Sequence, residues 1–182
     1  MNHLEQLVSE WYEYRGYFVR RNVRVAKRTK GGYEGELDVV AFHPENRHLV
    51  HIETSMDAWT WSKREDKFKQ KFAQGLKAIP TLFEGLAIPS IIEQVALFGY
   101  GGKGSRTRIG GGQILLIHEL LDAILAELAP KSMHKEAVPE QFPLLRTLHF
   151  VAHHRRALRS HFEPVVRSNK SVQPTAPFGR GG

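Results

Sequence analysis

The stretch GELDVVAFHPENRHLVHIETS, residues 35–55, constrains the fold more than any other part of the chain. Two short apolar runs flank a polar HPENRH turn, which predicts an antiparallel pair of strands over Glu36–Phe42 and His48–Thr54. Leu37, Val39, Val40 and Ala41 make the first run nearly continuous, the mark of a strand buried on both faces. A carboxylate in such a strand is costly unless a cation offsets its desolvation. Yet Asp38 and Glu53 each occupy one, and Asp38 is one of only four aspartates, with Asp57, Asp66 and Asp122. A hairpin register can bring both acids onto one face at one end of the sheet.

The flanking sequence supplies the rest of an α/β fold. HLEQLVSEWYEYR places Leu4, Leu7, Val8, Trp11 and Tyr14 at helical spacings, and Gly16 ends that helix. Phe18, Val19, Val23 and Val25 alternate with Arg20, Arg21, Arg24, Lys27 and Arg28, a strand with a basic outer face, and TKGGYEG is the turn that follows. From Trp59 to Ile79 a long amphipathic helix carries Lys63, Lys67 and Lys71 on one stripe and ends near Pro80. IIEQVALFGYG and QILLI read as further strands around the loop GGKGSRTRIGGG, and HELLDAILAELA as a helix. A last helix is predicted from about Pro139 to Phe162, before a tail of disordered composition. The expectation is a mixed central sheet of about five strands flanked by helices, with a basic helical carboxyl-terminal extension.

The 182 residues suit one domain. No run approaches the roughly 20 apolar residues of a membrane span, and MNHLEQLVSEW has neither the basic nor the apolar part of a signal peptide. A soluble cytoplasmic protein with no membrane partner is expected. Cysteine is absent, which excludes disulfides, thiolate metal sites and cysteine nucleophiles. Residues 131–182 hold nine Lys or Arg against three Glu, while residues 1–130 are nearly balanced, so the carboxyl-terminal part is the handle for a polyanion.

Two carboxylates and a carbonyl oxygen form a site for Mg²⁺, with Mn²⁺ as the alternative, a hard cation that keeps several waters and takes substrate phosphate. Such an ion supports hydrolysis of a phosphodiester, and the basic strand and tail have the right sign for the backbone.

In this arrangement the chain resembles the PD-(D/E)XK nuclease superfamily, the restriction-endonuclease-like fold. The residues that carry the resemblance are Glu5 in HLEQL, Gly16-Tyr17 at a strand start, Asp38 in GELDVVAF and Glu53 in VHIETS, followed by a helix. They are similar to the Mrr, Holliday-junction-resolvase and RecB-like branch, and ILLIHELLDAIL is similar to its closing strand and helix. The resemblance implies a nuclease-like core over residues 1–130, a basic helical extension packed on the same domain over 131–163, and a disordered basic tail over 164–182. It further implies a Mg²⁺-dependent DNA nuclease with Glu5, Asp38 and Glu53 around the metal, and it admits a homodimer.

One position departs from that pattern. The third-strand motif ends in lysine in the family, and here Ser55 fills the slot without a charge. Related enzymes supply the lysine from the following helix, so Lys63 and Lys67 are the candidates, Lys63 ahead for its shorter separation from Glu53. A catalytically inactive DNA-binding relative and an assembly scaffold are the alternative readings.

Other features carry less. Glu5 also suits a helix amino terminus, with Glu10 its rival. Glu36 reads as a solvated strand residue, and His51 as structural. The Gly-rich loop lacks P-loop spacing, which leaves Lys103, Arg106 and Arg108 as candidate DNA-backbone contacts beside Arg20 and Arg24. HFVAHHRRALRSHF lacks HExxH, so its Arg155 and Arg156 read as phosphate-facing. Trp59 and Trp61 read as helix-entry packing rather than base platforms.

Overall fold

The first helix shows how local chemistry places the later elements. Asn2 accepts from the Glu5 N–H at 2.9 Å while the Glu5 carboxylate accepts from the Asn2 N–H at 3.1 Å, a reciprocal cap that satisfies two orphan donors. Leu4, Val8 and Trp11 are then buried, and Gly16 closes the helix at φ +85°.

The computed structural model describes residues 2–162. In chain order the elements are α1 (His3–Tyr14), β1 (Phe18–Lys27), β2 (Tyr33–His43), β3 (His48–Ser55), α2 (Trp61–Leu82), β4 (Glu93–Phe98), β5 (Arg108–Ile109), β6 (Gly112–Leu116), α3 (Ile117–Leu128), α4 (Pro143–His153) and α5 (Arg155–Phe162). The strands form one mixed sheet in the order β1-β2-β3-β4-β6-β5. β1/β2 and β2/β3 are antiparallel, β3/β4 and β4/β6 are parallel, and β5/β6 is antiparallel. The parallel step from β3 to β4 requires a crossover, and α2 provides it.

Alternation along the strands divides the core. Val39, Ala41, Val50, Ile52, Val95 and Leu97 face α1, α3 and α4, packing on Val8, Trp11, Ile124 and Leu145. Val40, Phe42 and Leu49 face α2 through Ile79, while Ala96, Phe98 and Ile114 meet Phe68 and Phe72. Each such large side chain contributes about 1.5–3 kcal/mol by leaving water. α4 joins the first core through Leu145, with Phe142 just ahead of it, so the extension packs on the same sheet as α1.

Four boundaries differ from expectation. The described residues contain six strands because Arg108–Ile109 forms a short pair inside the Gly-rich loop, where Gly110 and Gly111 take positive φ and turn the chain into β6. Tyr33 already belongs to β2, the turn being carried by Gly31 and Gly32, where Arg28 N–H bonds Gly32 O at 3.0 Å. α2 begins at Trp61 with Thr60 as its cap and continues only two residues past Pro80, whose missing N–H forfeits one bond of the last turn. The final helix is two, α4 and α5, separated at His154. The expected disordered tail, residues 164–182, lies outside the described residues. Among the described residues no helix is long and apolar enough to cross a membrane.

Candidate active site

The ladder between β2 and β3 runs from His43–His48 to Val39–Ile52. Past that pair the carboxylates take over as acceptors. Asp38 N–H donates to Glu53 Oε1 at 3.3 Å, and Thr54 N–H donates to Asp38 Oδ2 at 2.8 Å, joined by the Thr54 hydroxyl at 3.1 Å. Each acid therefore satisfies the neighbouring strand's backbone, which fixes both rotamers where the strands part.

Their remaining oxygens converge on one cation. Lys71 Nζ, from the third turn of α2, donates to Asp38 Oδ1 at 2.9 Å and to Glu53 Oε2. The Glu53 side chain is fully buried and Asp38 nearly so, while Lys71 is about one-third exposed on the cleft side. Burial raises the Glu53 carboxyl above its ordinary value, opposed first by the His51 hydrogen bond and aided by the Asp38 charge. For Lys71 burial acts to lower the ammonium, but the charges of Glu53 and Asp38 outweigh it and hold it above its ordinary value.

His51 supports the arrangement from below. It is fully buried on β3, and its Nε2 lies 2.7 Å from Glu53 Oε1 while its Nδ1 has no hydrogen-bond partner among the described residues. Phe72 packs edge-on against the ring with centroids 5.4 Å apart. Gly75 lies over the same ring, so close that a Cβ there would stand 2.3 Å from His51 Nδ1. The glycine lets α2 approach the sheet, and Lys71 is the residue one turn earlier on that face. A cleft of about 180 Å³ opens beside the acids, lined by Thr54, Ser55, Asp57, Trp59, Lys67, Phe68 and Lys71.

The other expected site residues sit elsewhere. Lys63 Nζ lies 4.4 Å and Lys67 Nζ 5.7 Å from the centre of the Trp59 ring, and among the described residues neither makes an ion pair with Asp38 or Glu53. The cation at the acids is Lys71, in the third turn of α2. Glu5 caps α1 and also accepts from Asn22 Nδ2 at 3.2 Å, an amide that donates to Glu36 as well. Among the described residues no three acidic or histidine side chains gather in metal-binding geometry. Glu10 accepts from the Leu144 and Leu145 N–H groups at 2.8 and 3.1 Å, tying the first turn of α4 to α1.

Of the basic residues, Arg20 is exposed on the edge strand β1 and Arg24 stands 5.8 Å from the Tyr33 ring. Lys103 pairs with Glu119, Arg106 lies over the Trp61 ring at 4.5 Å, and Arg108 donates to Gly111 O. Arg155 and Arg156 open α5, which buries no residue.

Sequence reasoning missed the roles of Lys71, His51 and Gly75. The signal that could have found Lys71 is Gly75 itself, since a glycine inside a helix costs about 1 kcal/mol and marks a close approach.

No family model and no curated protein sequence matches the chain. Among solved structures it is similar to a crystal structure described as a protein of unknown function, AF1548, with 14% identity over 88% of each chain and a TM-score of 0.45.

Proposed function

We propose that this chain is a metal-dependent nuclease of the PD-(D/E)XK kind that hydrolyses DNA phosphodiester bonds in the cytoplasm, with Lys71 in place of the missing third-strand lysine. The observation that carries this reading is the convergence of Lys71 Nζ on Asp38 Oδ1 and Glu53 Oε2. A structural ion pair needs one carboxylate, whereas two buried carboxylates sharing one cation suit a site that handles a change of charge.

The donor set fits Mg²⁺ or Mn²⁺. Asp38 Oδ1 and Glu53 Oε2 converge on the point that Lys71 Nζ occupies, so an ion would take their oxygens as the ammonium shifts toward the open cleft, where there is room for the waters and phosphate oxygens that a hard cation keeps. When bound, the ion supplies polarisation of the phosphodiester and stabilisation of the leaving oxygen. The protein's own residues do the rest. Thr54 and His51 hold the two carboxylates in place, and Lys71 supplies the positive charge that orients and helps deprotonate the attacking water. Phe68 and Trp59 wall the cleft.

The test is incubation with Mg²⁺ or Mn²⁺ of single-stranded, duplex and branched DNA, for the wild type and for Asp38→Ala and Lys71→Met. Cleavage by the wild type and its loss in both variants supports the reading. A second reading, a DNA-binding relative without turnover, is favoured by one observation: the Lys71 ammonium already neutralises both outward oxygens. DNA left intact by the wild type, with Asp38→Ala binding it equally well, would select that reading. Failure to bind at low salt, where phosphate contacts are strongest, leaves a scaffold.

A further inference from the structure

The cleft beside the acid pair has a chemistry that phosphate hydrolysis alone does not require. Among its lining residues is Trp59, a large aromatic ring left 36% exposed. Lys63 and Lys67 hold their amines over this ring, and Lys67 also lines the cleft. Thr54 and Ser55 from β3 line it as well, together with Asp57 and the apolar Phe68. When the two lysines move from the ring to phosphate oxygens, the indole presents a face for a nucleobase, with hydroxyls and a carboxylate nearby for its polar edge.

Size decides which form of nucleic acid fits. At about 180 Å³ the cleft is smaller than the roughly 300–1,000 Å³ of pockets that enclose whole ligands, so it admits a single flat ring and has no room for a base pair. We propose that it seats one unpaired base stacked on Trp59, and so selects DNA that is single-stranded beside the phosphate delivered to Lys71. The delivery to Lys71 rests on the nuclease reading above; the base seat itself does not. Stacking tolerates every base because each has a π-face, so the preference is for an unpaired strand rather than for a sequence. The lysines supply the salt-dependent part of the affinity, and Trp59 the part that discriminates strand form.

The experiment is equilibrium binding by fluorescence anisotropy, in EDTA and at one fixed salt concentration. Three labelled probes of equal length are compared: a single-stranded oligonucleotide, the same strand with consecutive abasic sites, and the duplex. Trp59→Ala is expected to weaken binding of the intact single strand at least about fivefold and to leave the abasic strand and duplex within about twofold. Trp59→Phe, which keeps a ring on the surface, is expected to restore most of that loss. Lys67→Ala is expected to weaken all three probes alike and to lower the salt slope by about one. Equal wild-type affinity for intact and abasic strands, or an equal loss on all three probes in Trp59→Ala, overturns the base seat. Because no metal is present, the two readings fail separately. Trp59-dependent binding without cleavage defeats only the nuclease, and cleavage with Trp59-independent binding defeats only the base seat.

Discussion

The two ends of the β2–β3 hairpin each carry a small polar network, and the contrast between them separates structure from function. At the turn end, His48 Nε2 meets Glu93 Oε2 at 2.7 Å and the Tyr17 hydroxyl meets His48 Nδ1 at 2.8 Å, with His48 and Glu93 both more than a third exposed. Water screens such a group, and its contribution to stability is about 0–1 kcal/mol. At the open end Asp38, Glu53 and Lys71 form a network whose acids are buried. Desolvating those charges costs as much as their attraction returns, and apolar residues of similar size are often as stable or more so. The buried network is therefore poorly explained by stability, which agrees with the catalytic role proposed for it. The exposed one needs no such role.

The largest effect should come from breaking the buried end. Lys71→Met strands two carboxylates without a cation, and the cost is set at about 2–3 kcal/mol, below the 3–5 of a fully buried pair because Lys71 is partly solvated. Urea unfolding measures it, and Mg²⁺ should raise the midpoint of this variant more than that of the wild type. Gly75→Ala should follow at about 1–3 kcal/mol, since its Cβ would stand 2.3 Å from His51 Nδ1 and displace either the ring or the helix. Cleavage should fall with it, as Glu53 loses its support.

The pH dependence sharpens the same comparison. Burial raises the Glu53 carboxyl, so its favourable contribution is complete below the ordinary 4.5 and is lost as pH rises through the higher folded value. Metal-free wild type should thus lose stability relative to Glu53→Gln over that interval in urea titrations at stepped pH. The contribution of Lys71, also raised, is complete below 10.5 and lost only at still higher pH. The smallest effect belongs to the turn end, where Glu93→Gln should cost no more than about 1 kcal/mol and should shrink further in high salt.

Much of the fold was legible because it rests on periodicity. The continuous run through Leu37 and Ala41 marked a buried strand, and the acids within it marked the site, since a charge against an apolar background is a local signal. Lys71 was legible only in part. Lys63, Lys67 and Lys71 share one helical stripe, but separation along the chain does not say which turn of α2 lies over the sheet. The depth of its approach is set by Gly75 on His51, a contact between elements. Glu5 and Glu10 show the reverse error of equal plausibility. Both are early acids on α1, yet one caps its own helix and the other holds the start of α4, 134 residues away. The two-residue β5 and the break at His154 fall below the length at which a pattern can be read.

The account turns on which lysine serves the acid pair, and single-turnover cleavage of DNA in saturating Mn²⁺ or Mg²⁺ tests it most directly. Lys71→Met should lower the rate at least about a hundredfold, the usual loss of a group that stabilises charge or moves a proton, while Lys63→Met and Lys67→Met stay within about tenfold. A folded Lys71→Met variant that cleaves at the wild-type rate, or a wild type inert with both ions, would contradict it.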